Sequence, residues 1–98
     1  MATGTIKNQH TGTWTSVNAN IKYQVRSGLV FVNVYGGGSH SSWTSIGTLP
    51  SSVSPNDNTY NAAYLNGNQI SNFYIGLNGD VQHLGTSAAG TTFVYPLP

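Results

Sequence analysis

Apolar and polar positions alternate with a period of two along most of this chain, and no stretch shows the helical period of about 3.6. Ile21, Tyr23 and Val25 alternate with Lys22, Gln24 and Arg26, the mark of a strand with one face buried. Ser27-Gly28 turns the chain into residues 29–35, Leu-Val-Phe-Val-Asn-Val-Tyr, which are apolar on both faces. Such a strand lies centrally in a two-layer fold or faces a neighbouring subunit. Gly36-Gly37-Gly38 then breaks the pattern, where the backbone bends or is closely approached. Residues 43–49 read as a weaker strand ended by Pro50, and residues 51–58 as a loop rich in Ser, Pro and Asn. A strand over residues 60–65, a turn at Asn66-Gly67, a hairpin over residues 71–84 and a last strand over residues 92–95, stopped by Pro96, complete the chain. The pattern predicts an all-β domain, a small antiparallel barrel or sandwich.

The hairpin is the densest signal. Asn78-Gly79 suits a two-residue turn in which both residues have positive φ. That turn predicts Phe73, Ile75 and Leu77 on one face, with Tyr74 directly opposite His83 on the other. Gly76 becomes a bare strip of backbone beside them. A ring, an imidazole and exposed backbone suit a neutral polar ligand such as a sugar. A three-residue turn would instead place Tyr74 and His83 on opposite faces.

Composition narrows the function. Charged residues make up 5% of the 98, against about 25% in a typical domain. Lys7, Lys22, Arg26, Asp57 and Asp80 are the whole inventory, with a formal net charge of +1. Nothing here is a footprint for nucleic acid or an acidic membrane, and no apolar run is long enough to insert in one. Cysteine is absent, so there are no disulfides or thiolate metal sites. His10, His40 and His83 lack metal-ligand spacing, and no cofactor motif appears. Asp57 and Asp80 each read as turn residues; a glycoside hydrolase normally sets two carboxyl groups about 5–9.5 Å apart across the bond it cuts. The expectation is a protein that is not an enzyme and has no catalytic residues.

Trp14 and Trp43 are flat rings of the kind that stack on a pyranose, but with only two tryptophans the default is core or barrel-end packing. Trp43 follows His40, Ser41 and Ser42 in a loop-like setting, which marks Trp43 and His40 as further ligand candidates. Tyr60 and Tyr64 share a strand face and read as packing, and Lys22 and Arg26 as a solvated face.

The order of these features resembles the C-terminal head domains of receptor-binding proteins from tailed phages of lactic-acid bacteria. The matching elements are Thr13-Trp14-Thr15, the strand pair turning at Ser27-Gly28, Gly36-Gly37-Gly38, and Ile46-Gly-Thr-Leu-Pro50 with Pro55 downstream. Phe73-Tyr-Ile-Gly-Leu leading to Val81-Gln-His-Leu-Gly85, then Tyr95-Pro96, complete the match, which covers residues 11–98. The resemblance implies a homotrimer of small barrels at the tail tip or baseplate of a virion, outside the cell. Such heads bind host cell-surface polysaccharide at or near subunit crevices and perform no chemistry. Residues 1–10 then form an arm from an upstream neck, through which other baseplate or tail proteins connect. Members of the family carry a His, an Asp two residues on, and a Trp on the returning strand. By position these correspond to Tyr74, Gly76 and His83, all three different in identity, so the place of a site carries over and its sugar does not. The rival expectations are a structural trimerising tip or collar and a monomeric secreted carbohydrate-binding module.

Overall fold

The computed structural model describes residues 13–55, 59–66, 69–85 and 90–98. Within them the chain forms eight strands and no helix: β1 Thr15–Ser16, β2 Ile21–Arg26, β3 Leu29–Tyr35, β4 His40–Thr48, β5 Tyr60–Asn66, β6 Gln69–Ile75, β7 Asp80–Gly85 and β8 Gly90–Pro96. They lie in two four-stranded antiparallel sheets, ordered β1-β2-β3-β8 and β4-β7-β6-β5. No closed barrel forms among the described residues, so of the two expected architectures the sandwich is the one observed. In the second sheet β5, β6 and β7 follow one another by hairpins while β4 returns beside β7, a Greek-key arrangement.

β3 is the centre of the first sheet because its β-branched residues all face one way. Val30, Val32 and Val34 are fully buried, while Leu29 and Tyr35 stay exposed on the opposite side. β2 and β3 join through Ser27 at φ 52 and Gly28 at φ 78, with Arg26 paired to Leu29. Two successive positive φ values make this the mirror-type hairpin turn that suits twisted strands. Ile21, the three β3 valines, Phe93 and Tyr95 meet Phe73, Ile75 and Val81 of the second sheet, and Leu49 and Val53 close the core. The alternation of β2 holds less well at its end, since Val25 is 36% exposed whereas Gln24, on the outward side, is only 8% exposed.

Polar ties join the layers. Asn18 Nδ2 donates to the Ile46 carbonyl at 2.8 Å, and the Tyr95 hydroxyl donates to the Val53 carbonyl at 2.6 Å. Tyr60 stacks on Tyr95 with centroids 5.0 Å apart, the packing role its position suggested. The side chain of Tyr64, the turn residue Gly67, Asp57, Lys7 and the arm over residues 1–10 lie outside the described residues.

Burial, and secondarily the nearby Tyr60, pushes the Tyr95 phenol well above its ordinary value near 10. The folded state therefore holds this proton more tightly than the unfolded chain. Its contribution is complete below about pH 10 and is lost as the pH rises beyond that. Tyr95→Phe should cost about 1–3 kcal/mol by stranding the Val53 carbonyl, and should flatten the alkaline arm of a denaturant-stability profile. A profile identical to the parent's above pH 10 would contradict this role.

Candidate functional site

The hairpin between β6 and β7 decides which residues can form a site. Its loop holds three residues, not two: Gly76 N–H donates to the Asp80 carbonyl at 3.0 Å, and Gly79 N–H to the Gly76 carbonyl at 2.9 Å. Gly79 alone in this loop has positive φ, +84, where a Cβ would lie 2.9 Å from the Leu49 carbonyl oxygen. This is a turn followed by a left-handed glycine, which moves β7 by one residue against the register expected from Asn78-Gly79.

Ile75 therefore pairs with Val81, Tyr74 with Gln82 and Phe73 with His83. The expected pairing of Tyr74 with His83 does not occur, and the two side chains lie on opposite faces of the sheet. Phe73, Ile75, Val81 and His83 face inward, while Tyr74 and Gln82 face outward. Gly76 is buried, not a bare patch at the surface. The deciding signal was present in the sequence. The observed register puts Val81 in the core and Asp80 and Gln82 outside; the two-residue turn would have set Gln82 against Ile75.

His83 is 0% exposed. Its Nδ1 lies 2.7 Å from His40 Nδ1, so one of those nitrogens carries the hydrogen and the other accepts it. Its Nε2 lies 3.2 Å from Ser71 Oγ, and its ring lies 4.8 Å from that of Phe73. A Cβ on Gly36 would come within 2.7 Å of His83 Nε2, which is the close approach expected of the glycine run. His40 belongs to strand β4 rather than a loop and points at His83. These two histidines tie β4 to the interior and do not form an outward-facing pair.

Outside the same sheet, different residues assemble. Trp43 is 47% exposed on β4 and Trp14 38% exposed beside β1, so neither serves as core or plug. The Trp43 and Tyr74 rings meet edge to face, centroids 6.2 Å apart at 62°. Two adjoining open depressions of about 400 and 270 Å³ share Trp43. One is edged by Asn61, Ala63 and Asn72, the other by Tyr74 and Gln82. No family, no curated protein and no solved structure matches the chain.

Hydrogen bonding fixes the amides of this groove. Gln82 Nε2 donates to Asp80 Oδ2 at 2.7 Å, Ser45 Oγ donates to Asp80 Oδ1 at 2.6 Å, and Asn72 Nδ2 donates to the Leu84 carbonyl at 3.3 Å. Carboxylate and carbonyl oxygens only accept, so the facing amide atoms must be nitrogens. Gln82 and Asn72 keep their carbonyl oxygens for something else. The groove therefore offers two rings, the amide oxygens of Gln82 and Asn72 as acceptors, and one further N–H on each of these amides as a donor. Among the described residues no three His, Asp or Glu side chains gather as metal ligands, and Asp80 is the sole carboxylate of the sheet.

Tyr74 and His83 should consequently behave as opposites. His83→Ala empties a core site and should cost on the order of 2–5 kcal/mol of stability. Tyr74→Ala should change stability by less than about 1 kcal/mol while altering the groove. Denaturant midpoints of both variants measure this directly, and an equal loss in the two would contradict the assignment of faces.

Proposed function

We propose that this protein is a non-enzymatic binding head that grips a hydroxyl-rich saccharide on the outer face of the β4-β7-β6-β5 sheet. One observation carries the reading: an exposed Trp43 ring and a half-buried Tyr74 ring meet edge to face at an open groove rimmed by the neutral amides of Asn61, Asn72 and Gln82. Pyranose rings present an apolar face to an aromatic ring and hydroxyl donors at their edge, which matches this arrangement. The phage-head resemblance supports the same reading and adds the biological setting, adsorption to a host cell surface from a virion tail tip.

The other sheet supplies a surface for self-association. Opposite its buried valines β3 shows Leu29, Phe31 and Tyr35, and β8 adds Val94 beside Phe31. Leu97 and Trp14 lie exposed near its margins. Lys22 is laid over the Trp14 ring at 5.2 Å and Arg26 over Phe31 at 4.5 Å, so both cations flatten onto the apolar surface. A second copy of the chain covers this face in a homotrimer, leaving the Trp43 groove on the far sheet open. Three weak grooves held together raise avidity without new contacts. The same apolar face also suits a structural tip or collar, and only ligand binding separates the two readings.

Light scattering at micromolar concentration should give about three times the 10.4 kDa chain mass. Titration with neutral cell-wall oligosaccharides should shift the Trp43 indole signal saturably. Trp43→Ala should weaken that binding by about 1 kcal/mol, roughly fivefold, with the fold and assembly kept. A monomer would remove the trimer, and a flat titration would leave the structural reading in its place.

A further inference from the structure

Among the described residues the two outer faces of the sandwich carry opposite charge. Both cations of the described residues, Lys22 and Arg26, lie on the first sheet, on the side facing away from the core. Asp80, the one described carboxylate, lies on the second sheet, where it holds the Gln82 side chain that edges the Trp43 groove. Stacked sheets stand about 10 Å apart, roughly a Debye length at 0.1 M salt, so neither cation neutralises it across the sandwich. Among the described residues Asp80 has no ion pair. It accepts one hydrogen from Ser45 and one from Gln82, and an ionised carboxylate offers about four acceptor sites.

The donors that satisfy Asp80 also set the polarity of its surroundings. With Gln82 Nε2 turned to Asp80 and Asn72 Nδ2 turned to the Leu84 carbonyl, Gln82 Oε1 and Asn72 Oδ1 remain as acceptors. Ser45 Oγ has spent its hydrogen and likewise can only accept. Beside these oxygens stand the faces of Trp43 and Tyr74, whose quadrupoles attract cations. One N–H on each of these amides is still able to donate, but it is neutral, whereas the oxygens, the aromatic faces and the nearby carboxylate together favour a positively charged donor over an anion.

We infer that the groove edged by Trp43, Tyr74 and Gln82, with the Asp80 carboxylate one hydrogen bond away through Gln82, selects a sugar bearing a free ammonium group over its neutral and anionic counterparts. The inference rests on the saccharide reading above and narrows it to the amino sugars. Hydroxyl donors satisfy the amide oxygens, the ring lies against Trp43, and the ammonium sits against the aromatic faces on the Gln82 side, where the Asp80 charge attracts it. A phosphate or carboxylate on the same sugar brings no donor and meets the Asp80 charge.

The test compares methyl glucoside, glucosamine, N-acetylglucosamine and glucuronate at pH 6, read by the indole N–H resonances of the two tryptophans. Trp14, on the other sheet, serves as the internal control. Glucosamine should bind about two- to fivefold more tightly than methyl glucoside from the rings alone, and more with Asp80. N-acetylglucosamine should lose that advantage and glucuronate should bind weakest. Raising salt from 0.05 to 1 M should shrink the glucosamine preference and leave methyl glucoside unchanged. Asp80→Asn should reduce the preference toward the rings' share, and the salt series on the parent protein gives the same answer should that variant fold poorly. Glucuronate binding as well as glucosamine, or a preference untouched by both salt and Asp80→Asn, overturns the amino-sugar inference while leaving saccharide binding standing. Trp43 unmoved by every sugar overturns both.

Discussion

Gly79 adopts a left-handed backbone at a point where the Leu49 carbonyl and the Ser54 hydroxyl leave no room for a side chain. Leu49 N–H also donates to the Gly79 carbonyl at 2.9 Å, so the turn is clamped against the end of β4. That clamp holds a three-residue loop, and the loop sets the register of β6 against β7. Because side chains alternate with a period of two, the register assigns every residue of β7 to the core or to the surface at once. His83 goes inside and Gln82 goes outside.

Two consequences follow on the two faces of one sheet. Inside, His83 fills the space beside Gly36 and Phe73 and binds His40, so a polar ring is satisfied without water. Outside, Gln82 lies next to Tyr74, and β4 brings Trp43 to the same place through its register shifts between His40 and Thr44 and between Ser45 and Gly47. The irregularity of β4 and the regularity of β6–β7 are thus both needed to assemble the groove. Neither the groove nor the buried imidazole pair would survive a one-residue slip.

The strands were readable because their alternation reports burial directly: Val30, Val32 and Val34 could only face a core. The hairpin register was harder, since Asn-Gly fits both the two-residue turn and the end of a three-residue one. Position 81 held the answer, because only the longer loop puts Val81 with Phe73 and Ile75. Meanwhile the two-residue turn expected at Asn78-Gly79 is found at Ser27-Gly28. Trp43 was flagged by its polar neighbours, although its partner Gln82 carried no mark of its own. Its role depends on contacts made across strands far apart in sequence. The charge separation between the sheets was equally hidden, because it appears only when β2 and β7 are known to lie in different layers.

The central claim is therefore a register, and proton NMR reads registers directly. Gly76 and Asp80 share a hydrogen bond across the strands, so the next pair along, Ile75 and Val81, and then Phe73 and His83, are the closely spaced non-hydrogen-bonded pairs. Strong Hα–Hα cross-peaks should join Ile75 to Val81 and Phe73 to His83, with the His83 ring shielded from solvent. Cross-peaks joining Tyr74 to His83 would contradict the account and return both side chains to one exposed face.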